Sequence, residues 1–372
     1  MASVTKRPNG HWRARYRDST GREHAKHFSR KVDATKWLDS ITATIAIGTY
    51  VDPAAGQITL GEYAQTWLTR QVHLKPSTRS RYRTIVRVHI EPAFGATGLA
   101  QIEHSAVAAW IVDLLDDGIA APTVRHIHRV LHMILNAAID DGRLARNPAS
   151  RVKLPHVRSR DKRFLSHEQV AALADEAGED HLIIRVLAYC GLRFGELAAL
   201  RVRNVDPLRR RLQIEQSATE VDGRMVFGTP KSHQCRSVPV PRSLITDLAA
   251  VCAGKSHDEL VFTAPNGGVL WLRNWRRRVF DPAVAAAGLG QLSPHELRHT
   301  AASLAVAAGA NVKAVQRTLG HASAAMTLDV YSGLFDDDLD AVAERLDAVG
   351  RAAGVAYPLP TAEVVDLSSA RK

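Results

Sequence analysis

Cysteine is scarce in this sequence. There are three in 372 residues, and none of Cys190, Cys235 and Cys252 stands at metal-ligand spacing from another. That excludes a disulfide framework, and an odd thiol count suits a reducing compartment. No long apolar run exists, because Arg185 interrupts the most hydrophobic stretch, and the N-terminus lacks the apolar core of a secretory signal. A cytoplasmic protein without a membrane segment is expected. Neither a Walker loop nor a carboxylate cluster suited to two-metal hydrolysis is present, so no metal and no cofactor are expected. Acidic charge is also short, with 38 Asp and Glu against 49 Lys and Arg, and the resulting +11 favours a polyanionic partner, nucleic acid before a membrane surface.

At this length, two or three domains are expected. Residues 1–37 carry ten Lys or Arg and three acids, so much of the excess charge sits at one end. Turn signals at Asn9-Gly10 and Ser19-Thr20-Gly21 flank an alternation of Trp12, Ala14 and Tyr16 with Arg13, Arg15 and Arg17. This predicts a small three-stranded sheet, one face apolar and covered by a helix over Lys31–Ile45, the other a basic face for a DNA groove or phosphates, or simply solvated. Residues 48–57 read as a linker. Helical patterns over Leu60–Gln71, Ser77–Ile90, Ser105–Asp116 and Pro122–Asp140 predict a helical bundle at 58–150. Its Arg79, Arg81, Arg83 and Arg87, with His126, His128 and Arg129, form a candidate phosphate-facing surface, solvation being the alternative. Residues 151–163 hold six basic residues and one acid, including Arg158 and Arg160, and read as a basic tether able to strap DNA. A mostly helical mixed domain over 164–350 follows, broken by short strands between Arg211 and Pro241, and then a tail at 351–372. The fold class expected is multidomain α+β.

Four stretches of the last domain carry chemistry. In Gly191-Leu192-Arg193-Phe194-Gly195-Glu196, a glycine turn opens a new helix, so Arg193 is placed to grip a phosphate and Glu196, one turn on, to orient it. In Gly228-Thr229-Pro230-Lys231-Ser232, followed by Arg236-Ser237-Val238-Pro239, a strand hairpin is expected with Lys231 near its tip, where an ammonium beside arginines can act as general acid. Ser293-Pro294-His295-Glu296-Leu297-Arg298-His299 satisfies the zinc-binding pattern H-E-x-x-H. However, Ser293, Pro294 and Glu296 spell a helix cap that already occupies the glutamate, and Arg298 on the face of His295 would repel a dication and attract a phosphate. His299, one turn from His295, reads as a packed or supporting residue. Finally Gly320 should end a helix, leaving His321 in the turn and Tyr331 at the end of the next helix.

In the order Arg193, Lys231, His295-x-x-Arg298, His321, Tyr331, these residues resemble the signature of the tyrosine recombinase (phage integrase) family. The likeness is strong over 162–334 and similar in layout elsewhere: an arm-binding N-terminal domain (1–50), a core-binding domain (58–150) and a catalytic domain (164–350). The resemblance implies that Tyr331 attacks a DNA phosphate and forms a 3′-phosphotyrosine link, and that Arg193 and Arg298 clamp the phosphate oxygens. It implies that Lys231 protonates the leaving 5′-hydroxyl, His295 assists proton removal and His321 bonds a non-bridging oxygen, with Glu196 and His299 in support. It further implies double-stranded DNA with core and arm sites, a homotetramer passing through a four-way junction, a DNA-bending host factor and a directionality factor, and integration or excision of phage or mobile-element DNA in a bacterial host. An acidic helix at 336–347 could dock on a neighbour or be solvated. A type IB topoisomerase and a non-catalytic DNA-binding regulator are the alternatives. The basic N-terminal sheet argues against the first, the intact set of pocket residues against the second. The basic residues also predict strongly salt-dependent DNA binding.

Overall fold

The period-two pattern of residues 12–17 emerges as a strand in the computed structural model, which describes residues 2–18, 21–47, 50, 55–157, 163–230, 235–331 and 338–354, the last without the side chains of 338–342. Strands β1 (Ser3–Lys6), β2 (Trp12–Arg17) and β3 (Glu23–Phe28) form an antiparallel sheet in that order, with Ala14 opposite Val4 and Lys26. Ala14 and Tyr16 are buried under helix α1 (Lys31–Ala46), whose Ala34, Leu38 and Trp37 meet them. Ser19 and Thr20 of the expected second turn lie outside the described residues. Within the expected linker, Tyr50 is packed rather than free: its hydroxyl and that of Tyr16 share a hydrogen bond of 2.8 Å.

The chain divides into two units, Met1–Ser159 and Arg160–Lys372. The first also holds a helical bundle of α2 (Leu60–Arg70), α3 (Pro76–Ile85), α4 (Glu91–Phe94), α5 (His104–Asp116) and α6 (Ala121–Asp140). Thr59 and Glu62 cap α2 reciprocally, the carboxylate accepting from Thr59 N at 3.2 Å. Val86–Ile90 form a π turn joining α3 to α4, so the expected helix 77–90 continues to Phe94 through an irregularity its polar-apolar pattern does not announce. His128 departs from its expected surface place. It lies on the stripe of Val124, Ile127, Leu131 and Leu135, is buried, and bonds Ala149 O at 2.9 Å. The start of the expected tether packs on this bundle through Val152 and Leu154.

The second unit contains α7 (His167–Glu176), α8 (His181–Cys190), α9 (Phe194–Ala198), β4 (Val205–Asp206), β5 (Arg211–Ile214), β6 (Ser217–Val221), β7 (Arg224–Gly228) and β8 (Arg236–Pro239). These are followed by α10 (Arg242–Cys252), α11 (Leu272–Trp275), α12 (Asp281–Ala286), α13 (Pro294–Ala307), α14 (Val312–Leu319), α15 (Ala324–Tyr331) and α16 (Asp338–Ala352). A three-stranded antiparallel sheet runs β4-β5-β8, and β6 pairs with β7 separately. The expected hairpin around Lys231 is therefore corrected. Its two flanking strands belong to different sheets, because the tight Asp222-Gly223 turn pairs β7 back onto β6 while β8 pairs with β5. One large core built on α8 fills the unit, including Ile184, Leu187, Leu212, Val238, Phe280 and Leu297. The fold is mixed α+β, rich in helix. Among the described residues no helix is long and apolar enough to cross a membrane.

Candidate active site

Helix α8 ends because Gly191 adopts φ 65°, a left-handed cap that turns the chain so that Arg193 begins α9. A Cβ at Gly191 would lie 2.8 Å from Leu319 Cδ2, so this turn fits closely against the end of α14. Glu196 is buried within α9. Its Oε1 accepts from Arg193 Nη1 at 2.9 Å and its Oε2 from Arg193 N at 2.9 Å. The same carboxylate is gripped from the other side by Arg236 of β8, Nη1 to Oε1 at 2.9 Å and Nη2 to Oε2 at 2.6 Å. Burial alone would push this carboxyl up, but the hydrogen bonds and charge of Arg236, with Arg193, outweigh it and bring it down to about 2.

Arg298 rises from α13 and is 3% exposed. Its Nη1 donates to Gly191 O at 2.6 Å and its Nη2 to Leu319 O. Burial, then the charges of Arg193 and Arg236, draw its guanidinium down to about 9, where it is still a cation at neutral pH. The cap at the start of α13 is in place, with Ser293 N donating to Glu296 Oε2 at 2.6 Å. His295 sits on the exposed first turn, its ring edge-on to that of His299 at 5.0 Å.

Helix α14 ends at Gly320, again left-handed, which leaves His321 in the following turn. His321 Nδ1 shares a hydrogen bond of 3.0 Å with Thr327 Oγ1, and its ring lies parallel to that of Tyr331 at 6.5 Å. Burial, then Arg298 and Arg193, depress the imidazole to about 4, so it is neutral at neutral pH. Tyr331 closes α15 and is 2% exposed, packed with Ala302, Val306 and Phe164. Attack on a phosphate clamped by Arg193 and Arg298 implies a hydroxyl that faces those guanidinium groups. Instead the Tyr331 hydroxyl shares a 2.8 Å hydrogen bond with His299 Nδ1, because Thr327 and Tyr331, one turn apart, are the residues α15 turns inward. Burial raises the phenol to about 12, against a lowering by Arg298.

The structure thus brings together Arg193, Glu196, Arg298, His299, His321 and Tyr331, with His295 beside His299. Lys231, Arg158 and Arg160 lie outside the described residues. Arg236 went unnoticed as a site residue, although alternation in β8 places it on the inward face with Val238, which is buried. In the first unit, Arg13, Arg15 and Arg17 share the exposed sheet face, but each approaches Glu23, at 3.2, 3.9 and 3.8 Å, so part of that charge is balanced. Arg79, Arg81 and Arg83 are exposed on α3.

Comparison with known proteins gives three matching family models in chain order: phage integrase, N-terminal domain, over 2–47; phage integrase, N-terminal SAM-like domain, over 59–115; and phage integrase family over 163–337. The integrase of Mycobacterium phage L5 is 28% identical over 87% of this chain and 90% of its own length. The ICEBs1 integrase of Bacillus subtilis is 25% identical over 74% and 79%. A Tn1549 transposon integrase solved with a circular intermediate DNA superposes with a TM-score of 0.67 at 20% identity, covering 78% of this chain and 99% of that one. A lambda integrase tetramer bound to a Holliday junction superposes at 0.59 and 19% identity, over 86% and 95%. The arginine cluster and tyrosine therefore lie within the region that matches the phage integrase family model, behind two matched N-terminal domains, and the chain belongs to the phage integrase family.

Proposed function

We propose that this integrase is a site-specific DNA recombinase that integrates and excises phage or mobile-element DNA through a 3′-phosphotyrosine intermediate. The observation that carries the reading is that the charges of Arg298 and Arg193 both reach His321, whose ring lies parallel to that of Tyr331 at 6.5 Å. In the proposed reaction the Tyr331 oxygen attacks the scissile phosphorus, the phosphorus–5′-oxygen bond breaks, and the phenolic proton leaves with the help of His295. Arg193 and Arg298 hold the non-bridging oxygens, His321 donates to one of them, and Lys231 gives a proton to the departing 5′-oxygen. Attack by a new 5′-hydroxyl on the phosphotyrosine reverses each step, so the bond energy is conserved and neither ATP nor a metal is called for. In the free chain His299 holds the phenol, and we assign it a supporting role.

The domain roles follow the same reading: residues 1–50 bind arm DNA, 58–150 bind core DNA, 164–350 perform the chemistry, and 351–372 form a tail. Double-stranded DNA is the substrate, four copies act on a four-way junction in a bacterial cytoplasm, and a DNA-bending host factor and a directionality factor assist. The relatives favour this over a topoisomerase or a non-catalytic regulator, since those named above are integrases. The test is to trap the protein on a library of nicked random-sequence duplexes and sequence the adducts. Recovery of one preferred sequence is expected, with loss of every adduct but retained binding in Tyr331→Phe. Adducts persisting in that variant would overturn the assignment.

A further inference from the structure

Glu196 presents a difficulty for any use of Arg193 on a substrate. A buried carboxylate is a strong acceptor, and Arg193, only three residues away, is already bonded to it through one terminal nitrogen. Left to itself, Glu196 would draw the whole guanidinium onto its two oxygens. What stands in the way is Arg236, which makes the two-pronged contact with those oxygens itself and is 7% exposed. Its Nε is also committed, to Thr318 O at 2.9 Å, one residue before the Leu319 carbonyl that Arg298 holds. The end of α14, and with it the Gly320-His321 turn, is thereby fixed between two guanidiniums. The fit is close: a Cβ on Gly320 would lie 2.9 Å from Arg236 Cδ.

Charge gives the second half of the argument. Arg193, Arg236 and Arg298 against Glu196 leave two net positive charges, which matches the two negative charges that five-coordinate phosphorus carries at the peak of transfer. Without Arg236 one charge remains, and Glu196 competes for what Arg193 supplies. We propose that Arg236 is a positioning residue: it satisfies Glu196 so that Arg193 stays available to the phosphate, and it ties the His321 turn to the same carboxylate. The proposal rests on the recombinase reading for its phosphate, while the charge balance itself can be read without DNA.

The groups around His321 are Arg298 and His299 from α13, Arg193 at the start of α9, Arg236 from β8, and Thr327 and Tyr331 from α15, so its imidazole reports the local charge. In the DNA-free full-length protein, Arg236→Met should raise the NMR titration midpoint of His321 by about half to one unit, and Arg236→Met with Glu196→Gln, which restores the net charge, should lower it again. On the duplex recovered by adduct trapping, Arg236→Met should slow single-turnover cleavage about 100-fold at unchanged DNA affinity, and the double variant should recover about tenfold of that loss. A merely structural arginine would not be rescued by removing its acceptor. Arg236→Lys, which keeps the charge, covers the case in which the methionine variant does not fold: His321 should titrate as in the wild type and cleavage should exceed that of the double variant. A double variant no faster than Arg236→Met, an unmoved His321, or a lysine variant as slow as a charge-free one overturns the proposal. Wild-type protein that forms no adduct while His321 shifts as stated sinks the recombinase reading and leaves the charge role of Arg236 standing.

Discussion

Removing the one anion from a cluster of three buried or half-buried cations should cost far more than removing the most deeply buried of the cations, Arg298. Glu196→Gln keeps the shape of the side chain and deletes its charge. In the folded chain this carboxyl titrates at about 2 against an ordinary value of 4.5, because the bonds and charges of Arg236 and Arg193 outweigh the cost of burial. A depressed carboxyl stabilises the fold fully above its unfolded value, near pH 4.5, and that stabilisation disappears as pH falls toward the folded value, near pH 2. At about 1.4 kcal/mol per unit, the carboxylate is worth about 3 kcal/mol at neutral pH. For a unit of this size that is roughly 6–12 °C in melting temperature. Calorimetric melts of wild type and Glu196→Gln should differ by that amount at pH 7, and the gap should narrow steadily below pH 4.5, since protonation turns the wild-type residue into a near-copy of the variant. A gap under about 2 °C at pH 7, or one that stays constant down to the acid limit of folding, would refute the charge argument.

Arg298→Met should behave in the opposite way, because the depression of its guanidinium from 12.5 to about 9 reports roughly 5 kcal/mol of cost in burying that charge. This nearly offsets two lost hydrogen bonds of about 1.5–3 kcal/mol each, so the variant should melt within about 4 °C of wild type while adduct formation falls at least about 100-fold. A collapse in melting temperature would show the arginine to be mainly structural. Gly320→Ala meets both a φ of 65° and Arg236 Cδ at 2.9 Å, and a loss of about 1–2 kcal/mol in denaturant titration is expected, together with slowed cleavage; an unchanged midpoint would contradict the close fit. DNA affinity should fall with salt at a slope of about −5 in log–log terms if roughly six phosphates are neutralised, and a flat response would count against the basic faces of the first unit.

Local signals that act over one or two turns were legible. The alternation around Tyr16, the Ser293–Glu296 cap and the glycine stops at Gly191 and Gly320 each encode their own geometry, and each is found where its pattern puts it. What escaped depends on longer-range pairing. Asp222-Gly223 carries a hairpin signal that assigns β7 to β6, and it competes in the sequence with the turn-like lysine segment beyond it. The basic character of His128 points outward, whereas the helical period counts it with the apolar stripe, and the period prevails. Arg236 was hidden because an arginine in a strand is usually solvated, and only its partner, buried forty residues earlier at Glu196, makes an inward position affordable. The inward turn of Tyr331 defied hydropathy for a related reason: α15 exposes Met326 and Leu328 and buries Thr327 and the tyrosine, whose polar atoms find His321 and His299.

That inversion bears on how the site is divided. The proposed phosphate-binding half is assembled in the free chain: Arg193 and Arg236 already share Glu196, and Arg298 already spans the ends of α8 and α14. The proposed nucleophile is held back. With its phenol at about 12 and its hydroxyl bonded to His299, ionising Tyr331 at pH 8 costs about 5 kcal/mol in the free chain, a population near one in ten thousand. Of the three arginines, Arg298 is the one whose charge opposes that cost, and it does so while anchored to backbone rather than to the phenol. The proposed attack therefore requires the hydroxyl to leave His299 for the arginine side of the pocket. The tyrosine ring lies parallel to that of His321, whose imidazole is held down by burial and by Arg298 and Arg193, so the arginine charge is felt on that face of the ring.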